Sequence, residues 1–259
     1  MGKDILEVNY NENKENYMYR GEKVKVIVVA GGSGKRMETT TAKQYLKLHG
    51  KPMLYYSLVA FQMSSVDEIV LVTISGEEEY CRTEIVEKYR LTKVIQIISG
   101  GVERYHSVAA GLAVVGECDY LLIHDAARPC LSDEVICRAI DGAISYGACT
   151  VGVKVVDTIS RVDKTNKIVD IPDRNILWSV QTPQCFRYVD IREAYQKLLE
   201  LEPYMSAKEC EKITDDVRIV QQFLGIDVYM VEGEYQNLKV TTPADLKVAE
   251  IALMRYTRD

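Results

Sequence analysis

Residues 23–37 read KVKVIVVAGGSGKRM. The first half carries β-branched Val24, Val26, Ile27, Val28 and Val29, interrupted only by Lys25. Such a run suits a strand whose sheet is covered by helices on both faces, the arrangement of parallel α/β sheets. It passes directly into Ala30, Gly31, Gly32, Ser33 and Gly34, where three glycines in four residues permit close backbone approaches that side chains would block. A loop of this kind can turn successive N–H groups onto phosphate oxygens. The plain alternative is a tight turn from strand to helix followed by solvated basic residues. The spacing departs from both common phosphate fingerprints. A G-x-x-x-x-G-K-[ST] loop would need glycine at Val29 and Ser or Thr at Arg36, while G-x-G-x-x-G read from Gly32 meets Met37 at its last position.

Outward from this stretch the same texture repeats. EIVLVTI, VIQIIS, YLLIHDA and CTVGV read as further buried strands, and 53–62, 77–89, 104–115 and 133–145 as the helices between them. Strands alternating with helices imply right-handed βαβ units in a Rossmann-like, doubly wound, mostly parallel α/β sheet. Ligands then belong at the carboxyl ends of the strands. After Val153 the pattern changes. Residues 154–178 alternate polar and β-branched residues around DKTNK, which predicts a hairpin projecting from the sheet as a candidate dimerisation arm. Helices are expected near 190–201 and 215–224, strands at DVYMV and around 237–241, and a closing helix from Pro243. Residues 1–22 read as a flexible N-terminal extension, and 23–259 as a single domain.

Composition narrows the function. The chain has 259 residues, 27% of them charged, and a net charge of −6, which gives no support to a nucleic-acid partner. Seven cysteines without C-x-x-C spacing suit reduced cytoplasmic thiols. The sequence holds no apolar run of about 18 residues, and its N-terminal stretch lacks the apolar centre of a signal peptide. The expected setting is the cytoplasm, away from membranes.

Three groups of residues carry chemistry. Arg36 and Lys43, following the glycine loop, are placed to meet a triphosphate. Nucleotidyl transfer depends on positioning and on cations that neutralise growing charge. His124-Asp125-Ala126-Ala127-Arg128-Pro129 ends the strand YLLIH, where Asp125 could hold Mg²⁺ while a triphosphate supplies other ligands, or could cap the next helix. His124 is expected to be a structural residue. Gly100, Gly101 and Ser107 follow VIQIIS and could read a base edge, or form a simple glycine turn.

Taken in order, AGGSGKRM, AKQYLKLHGKP, SGGVERYHSV, HDAARP, VVDTISRV, PDRNILWSVQTPQCF, TDD and NLKVTTPADL resemble the 2-C-methyl-D-erythritol 4-phosphate cytidylyltransferase family of non-mevalonate isoprenoid synthesis, across about 24–255. The resemblance implies that CTP and methylerythritol phosphate are joined with loss of pyrophosphate. It assigns Arg36 and Lys43 to the α-phosphate in the transition state, Lys239 to the reacting phosphates and Asp125 to Mg²⁺, with Arg128 supporting the loop. It further assigns Ala30, Gly31, Gly32, Gly34, Gly101 and Ser107 to CTP. Thr158 and Arg174 on the arm, and Thr214 of TDD, would hold the acceptor. In the family the arm completes the neighbouring subunit's site, so a homodimer is implied.

Val102 stands where some family members have a polar residue. Base selection would therefore rest on backbone groups and Ser107. Two other readings compete: a ribitol 5-phosphate cytidylyltransferase, which shares fold and chemistry, and a non-catalytic nucleotide-binding protein. HDAARP and LWSVQTPQ favour methylerythritol phosphate over ribitol phosphate, and the presence of Arg36, Lys43, Asp125 and Lys239 disfavours the non-catalytic reading.

Overall fold

The computed structural model describes residues 19–32 and 42–254. Strand β1 (Val24–Val29) lies inside a seven-stranded sheet and is buried on both faces. Val24, Val26 and Val28 join one apolar cluster with Leu54, Leu58, Ile136 and Ile140, while Ile27 joins a second with Val108, Leu112, Ile191 and Leu198. Each such side chain taken from water contributes about 1.5–3 kcal/mol, so this apolar run is most stable where helices cover both sides.

After β1 come a small ladder, β2 (Lys47–Leu48) with β3 (Lys51–Pro52), and helix α1 (Met53–Met63). Strand β4 (Glu68–Thr73) leads into α2 (Glu78–Cys81), which continues as a π-helical stretch, Arg82–Glu87. Next are β5 (Val94–Ser99), α3 (Arg104–Val114), β6 (Tyr120–Asp125), α4 (Asp133–Tyr146) and β7 (Ala148–Lys154). A small hairpin, β8 (Arg161–Val162) with β9 (Ile168–Asp170), separates β7 from β10 (Trp178–Arg187). The chain then forms α5 (Tyr188–Leu201), α6 (Ala207–Cys210), α7 (Asp216–Leu224), β11 (Tyr229–Glu232) and α8 (Pro243–Leu253).

The sheet order is β11-β7-β10-β6-β1-β4-β5. All neighbouring pairs are parallel except those of β10, which runs antiparallel to β6 and β7. This is the mostly parallel α/β architecture expected. Its strand order reverses at β1, so the carboxyl ends of β1, β4, β5 and β6 open on one edge. A Cβ on Gly111 would lie 2.8 Å from the Ile27 side chain, so glycine there lets α3 close directly onto β1.

Two features differ from the sequence reading. The ten-residue strand β10 was not expected, because Gln181, Thr182, Pro183 and Gln184 interrupt its apolar pattern; its register with β7 shifts between Val180 and Gln184. Conversely, the strand expected around 237–241 is absent: that segment joins no sheet. It is held by scattered contacts instead of a ladder, among them the Val240 N–H donating to the Ala127 carbonyl, Arg128 Nη1 to the Asn237 carbonyl and Asn237 Nδ2 to the Thr182 carbonyl.

Between Lys154 and Trp178 the chain leaves the sheet and returns, in the span expected for the arm. Arg161 pairs with Asp170 and Val162 with Ile168. The Asp163 carboxylate closes the tip by accepting from the Thr165 and Lys167 N–H groups at 2.8 and 3.2 Å, and Asn166 adopts φ +65°. Of the expected N-terminal extension, residues 1–18 lie outside the described residues. Tyr19 and Arg20 bind Asp141 of α4 at 3.0 and 3.2 Å.

Candidate active site

A cavity of about 320 Å³ opens at the carboxyl ends of β1 and β6. Of the residues singled out in the sequence, Ala30, Gly31, Gly32, Lys43, Gly101, Ser107, Asp125 and Lys239 line it together. Arg36 and Gly34 lie outside the described residues. Thr158, Arg174 and Thr214 are exposed and do not line this cavity. The Arg174 guanidinium donates to the Val156 carbonyl at 3.0 Å, within the arm.

One wall is built from glycines. The Ala30 N–H donates to the Val72 carbonyl and the Gly100 N–H to the Thr73 carbonyl, both at 2.7 Å, tying the two loops to β4. Ser107 Oγ accepts from the Gly101 N–H at 3.2 Å and lies 3.4 Å from where a Cβ on Gly31 would stand. At Gly100 a Cβ would fall 2.6 Å from Ser107 Oγ, so only glycine fits beside that hydroxyl. Glycine backbone thus forms one side of a slot in the cavity wall, with the Ser107 hydroxyl buried beside it. Val102, 92% exposed, offers the slot no polar atom.

The opposite part is ionic. Asp125 Oδ1 accepts from Arg104 Nε at 3.0 Å and Oδ2 from Lys239 Nζ at 2.6 Å. Burial by itself would raise the Asp125 carboxyl, but the charges of Arg104 and Lys239, with their hydrogen bonds, hold it well below the usual carboxylate range. Lys43 Nζ reaches the Val240 carbonyl at 3.4 Å. Lys43, Arg104 and Lys239 therefore bring positive charge to the cavity of a chain that is acidic overall. Beneath Asp125, its N–H donates to Thr182 Oγ1, and Thr182 Oγ1 shares a 3.0 Å hydrogen bond with His124 Nδ1. His124 is fully buried, and burial lowers its pKa to about 4, so it stays neutral and structural as expected. Arg128 ties the loop after β6 to the Asn237 and Val180 carbonyls at 2.8 and 3.2 Å.

Sequence reasoning gave no role to Arg104, Asp216 or Gln44. Arg104 is held on Asp216 through both Nη atoms, at 2.9 and 2.8 Å, a contact between residues 112 apart that no local pattern announces. Gln44 lines the cavity with its carboxamide buried and without a hydrogen-bond partner among the described residues. Its place directly after Lys43 was the available signal.

A slot of glycines and a hydroxyl, joined to three cations and one low-pKa carboxylate at the switch point of an α/β sheet, define an enzyme of the nucleotidyltransferase class. The family model for 2-C-methyl-D-erythritol 4-phosphate cytidylyltransferase matches residues 24–255, and the chain belongs to that family. A relative bearing that name in Alkaliphilus metalliredigens is 44% identical over 230 residues, covering 88% of this chain and 92% of its own. Another, from Lachnoclostridium phytofermentans, is 43% identical over 239 residues, covering 92% and 99%. The crystal structure of 4-diphosphocytidyl-2C-methyl-D-erythritol synthase from Anaerococcus prevotii superposes with a TM-score of 0.75 at 29% identity, covering 91% of this chain and all of that one.

Proposed function

We propose that this enzyme transfers the cytidylyl group of CTP to 2-C-methyl-D-erythritol 4-phosphate, releasing pyrophosphate, as a step in isoprenoid precursor synthesis. The observation that carries the reading is the convergence of Lys43, Lys239 and Asp125 with Gly101 and Ser107 around one cavity within a family-length match. The acceptor phosphate is itself the nucleophile. It attacks the α-phosphorus, the bond to the β-phosphate oxygen breaks, and pyrophosphate leaves with the electron pair. No general base is needed, because a phosphate monoester is largely dianionic near neutral pH. The work is to bring two anions into line and neutralise the charge that grows between them.

Gly101, Ser107 and the backbone of Ala30 and Gly31 hold the base. Lys43 and Arg36 stabilise the α-phosphate, and Lys239 steers the acceptor phosphate. Asp125 is the residue that would hold Mg²⁺. Its donor set fits one carboxylate completed by phosphate oxygens and water, since the described residues include no cluster of three carboxylate, histidine or cysteine ligands. Oδ2 becomes available if Lys239, whose side chain is 40% exposed, moves onto the phosphates, while Arg104 stays on Oδ1. The ion, when bound, offsets triphosphate charge.

Thr158 and Arg174 act on a neighbouring subunit's acceptor, which makes the working unit a homodimer. Support comes from the fact that neither lines its own chain's cavity and from the apolar surface of the arm, where Val156 is 65% and Ile176 75% exposed. Thr214 contributes from its own chain at the same acceptor. The proposed setting is the cytoplasm, which the seven free cysteines suit; no helix among the described residues is long and apolar enough to cross a membrane.

Pyrophosphate release, measured with CTP and either methylerythritol phosphate or ribitol 5-phosphate, tests the reading. Turnover is expected with the first. Turnover with ribitol phosphate alone, or CTP binding without turnover on either, would overturn it.

A further inference from the structure

Asp216 is completely buried and fully engaged. Its Oδ1 accepts from Arg104 Nη1 at 2.9 Å and from the Tyr195 hydroxyl at 2.5 Å, its Oδ2 from Arg104 Nη2 at 2.8 Å, and its N–H donates to Gln184 Oε1 at 3.1 Å. A carboxylate held on both oxygens and at its backbone cannot turn. An ion pair this deep is a weak stabiliser compared with apolar packing of the same volume, so its geometry is the more informative feature.

That geometry limits what Arg104 can do at Asp125. An arginine meeting a lone carboxylate tends to form two parallel hydrogen bonds and take both oxygens. Here Asp216 occupies both Nη groups, and only Nε reaches Asp125, at Oδ1. Oδ2 is left to Lys239, the more exposed of the two cations. The pair also joins the two halves of the site. Arg104 opens α3, directly after the loop with Gly101 and ahead of Ser107, and Asp216 opens α7, two residues after Thr214. Glu202, at the end of α5, makes a separate tie to α3, accepting from the Tyr105 hydroxyl at 2.7 Å and pairing with His106 Nε2 at 2.7 Å.

We propose that Asp216 is a positioning residue for the transfer: by fixing the Nη edge of Arg104 it keeps one Asp125 oxygen free of arginine and sets the nucleotide loop against the acceptor segment. The inference rests on the cytidylyl-transfer reading, so wild-type turnover with CTP and methylerythritol phosphate is measured first. Its absence would sink that reading and not this one.

With wild-type turnover established, Asp216→Asn, Arg104→Lys and Tyr195→Phe are compared, with rates expressed per CTP-binding site so that misfolded protein does not count. Asp216→Asn is expected to lower kcat by about tenfold to a hundredfold, the scale of a small misplacement of reacting groups. It should also raise KM for methylerythritol phosphate while CTP affinity stays within about threefold. Tyr195→Phe removes a hydrogen bond from Asp216 but leaves its grip on Arg104, so kcat should stay within about threefold of wild type. If Asp216→Asn does not fold, Arg104→Lys decides, because a lysine cannot span both carboxylates; it should show the same kcat loss. Normal kcat in the folded Asp216→Asn or Arg104→Lys enzyme would overturn the proposal, as would a Tyr195→Phe loss equal to that of Asp216→Asn.

Discussion

The surroundings of Asp125 and the arm from Lys154 to Trp178 are built in opposite ways. Around Asp125 both carboxylate oxygens are engaged, the strand beneath is buried, and Arg104, Lys239, Thr182 and His124 fix one another in a continuous network. In the arm, Val156, Val162, Ile168, Ile171 and Ile176 stand in solvent, and the carboxylate contact at the tip is local. One region is complete within its own chain. The other carries apolar side chains that its own chain leaves uncovered. The surroundings of Asp125 are thus preorganised, and on the proposed reading a second copy completes the acceptor side.

The largest effect expected is on the complete region. Lys43→Ala should lower kcat by about 10²–10³-fold, the scale for removing one preorganised group that stabilises charge in a transition state. Circular dichroism and oligomeric state should be unchanged; near-normal turnover would remove Lys43 from the reaction. The layer under Asp125 should respond to acid. His124 has a pKa of about 4 when folded against 6.5 when free, so the unfolded chain takes up its proton first. The stability it confers is complete above pH 6.5 and is lost as pH falls from 6.5 towards 4, by about 3 kcal/mol. Urea midpoints across that window should flatten in His124→Gln, and an unchanged slope would refute the assignment.

The arm is tested by mixing. Lys43→Ala and Arg174→Ala are each expected to be nearly inactive alone, but subunit exchange between them should restore about a quarter of wild-type turnover. Half the dimers would be mixed, each with one site of intact body and intact arm. If mixing restores nothing, Arg174 does not act across subunits. The smallest effect lies on the arm's own surface. The Arg161–Asp170 pair is exposed, at 3.4 Å, and Asp170→Asn should move thermal stability by no more than about 0.5 kcal/mol.

How much of this was readable in the sequence follows the same division between local and distant causes. Strands β1, β4 and β6 announce themselves because their buried faces demand continuous runs of Val, Ile and Leu. Strand β10 does not, since Gln181, Thr182 and Gln184 face polar partners in a strand that is nonetheless buried there. Around 237–241 the error ran the other way: Leu238 and Val240 pack in a small cluster with Leu48 and Met53, and their alternation mimics a strand. Within the site, Lys43, Asp125 and Ser107 were visible because each follows a glycine turn or ends a strand. The bond from Arg104 to Asp216 was not, because tertiary folding alone brings those residues together.

The position of β10 has a wider meaning. Its first residue, Trp178, pairs with Lys154, the last of β7, so the arm leaves and re-enters the sheet between two adjacent antiparallel neighbours. Any excursion that returns to its starting point satisfies that connection, whatever its length or composition. Natural variation can therefore redraw the arm while the parallel strands beside it stay untouched. The fold separates what must be kept from what can be rewritten.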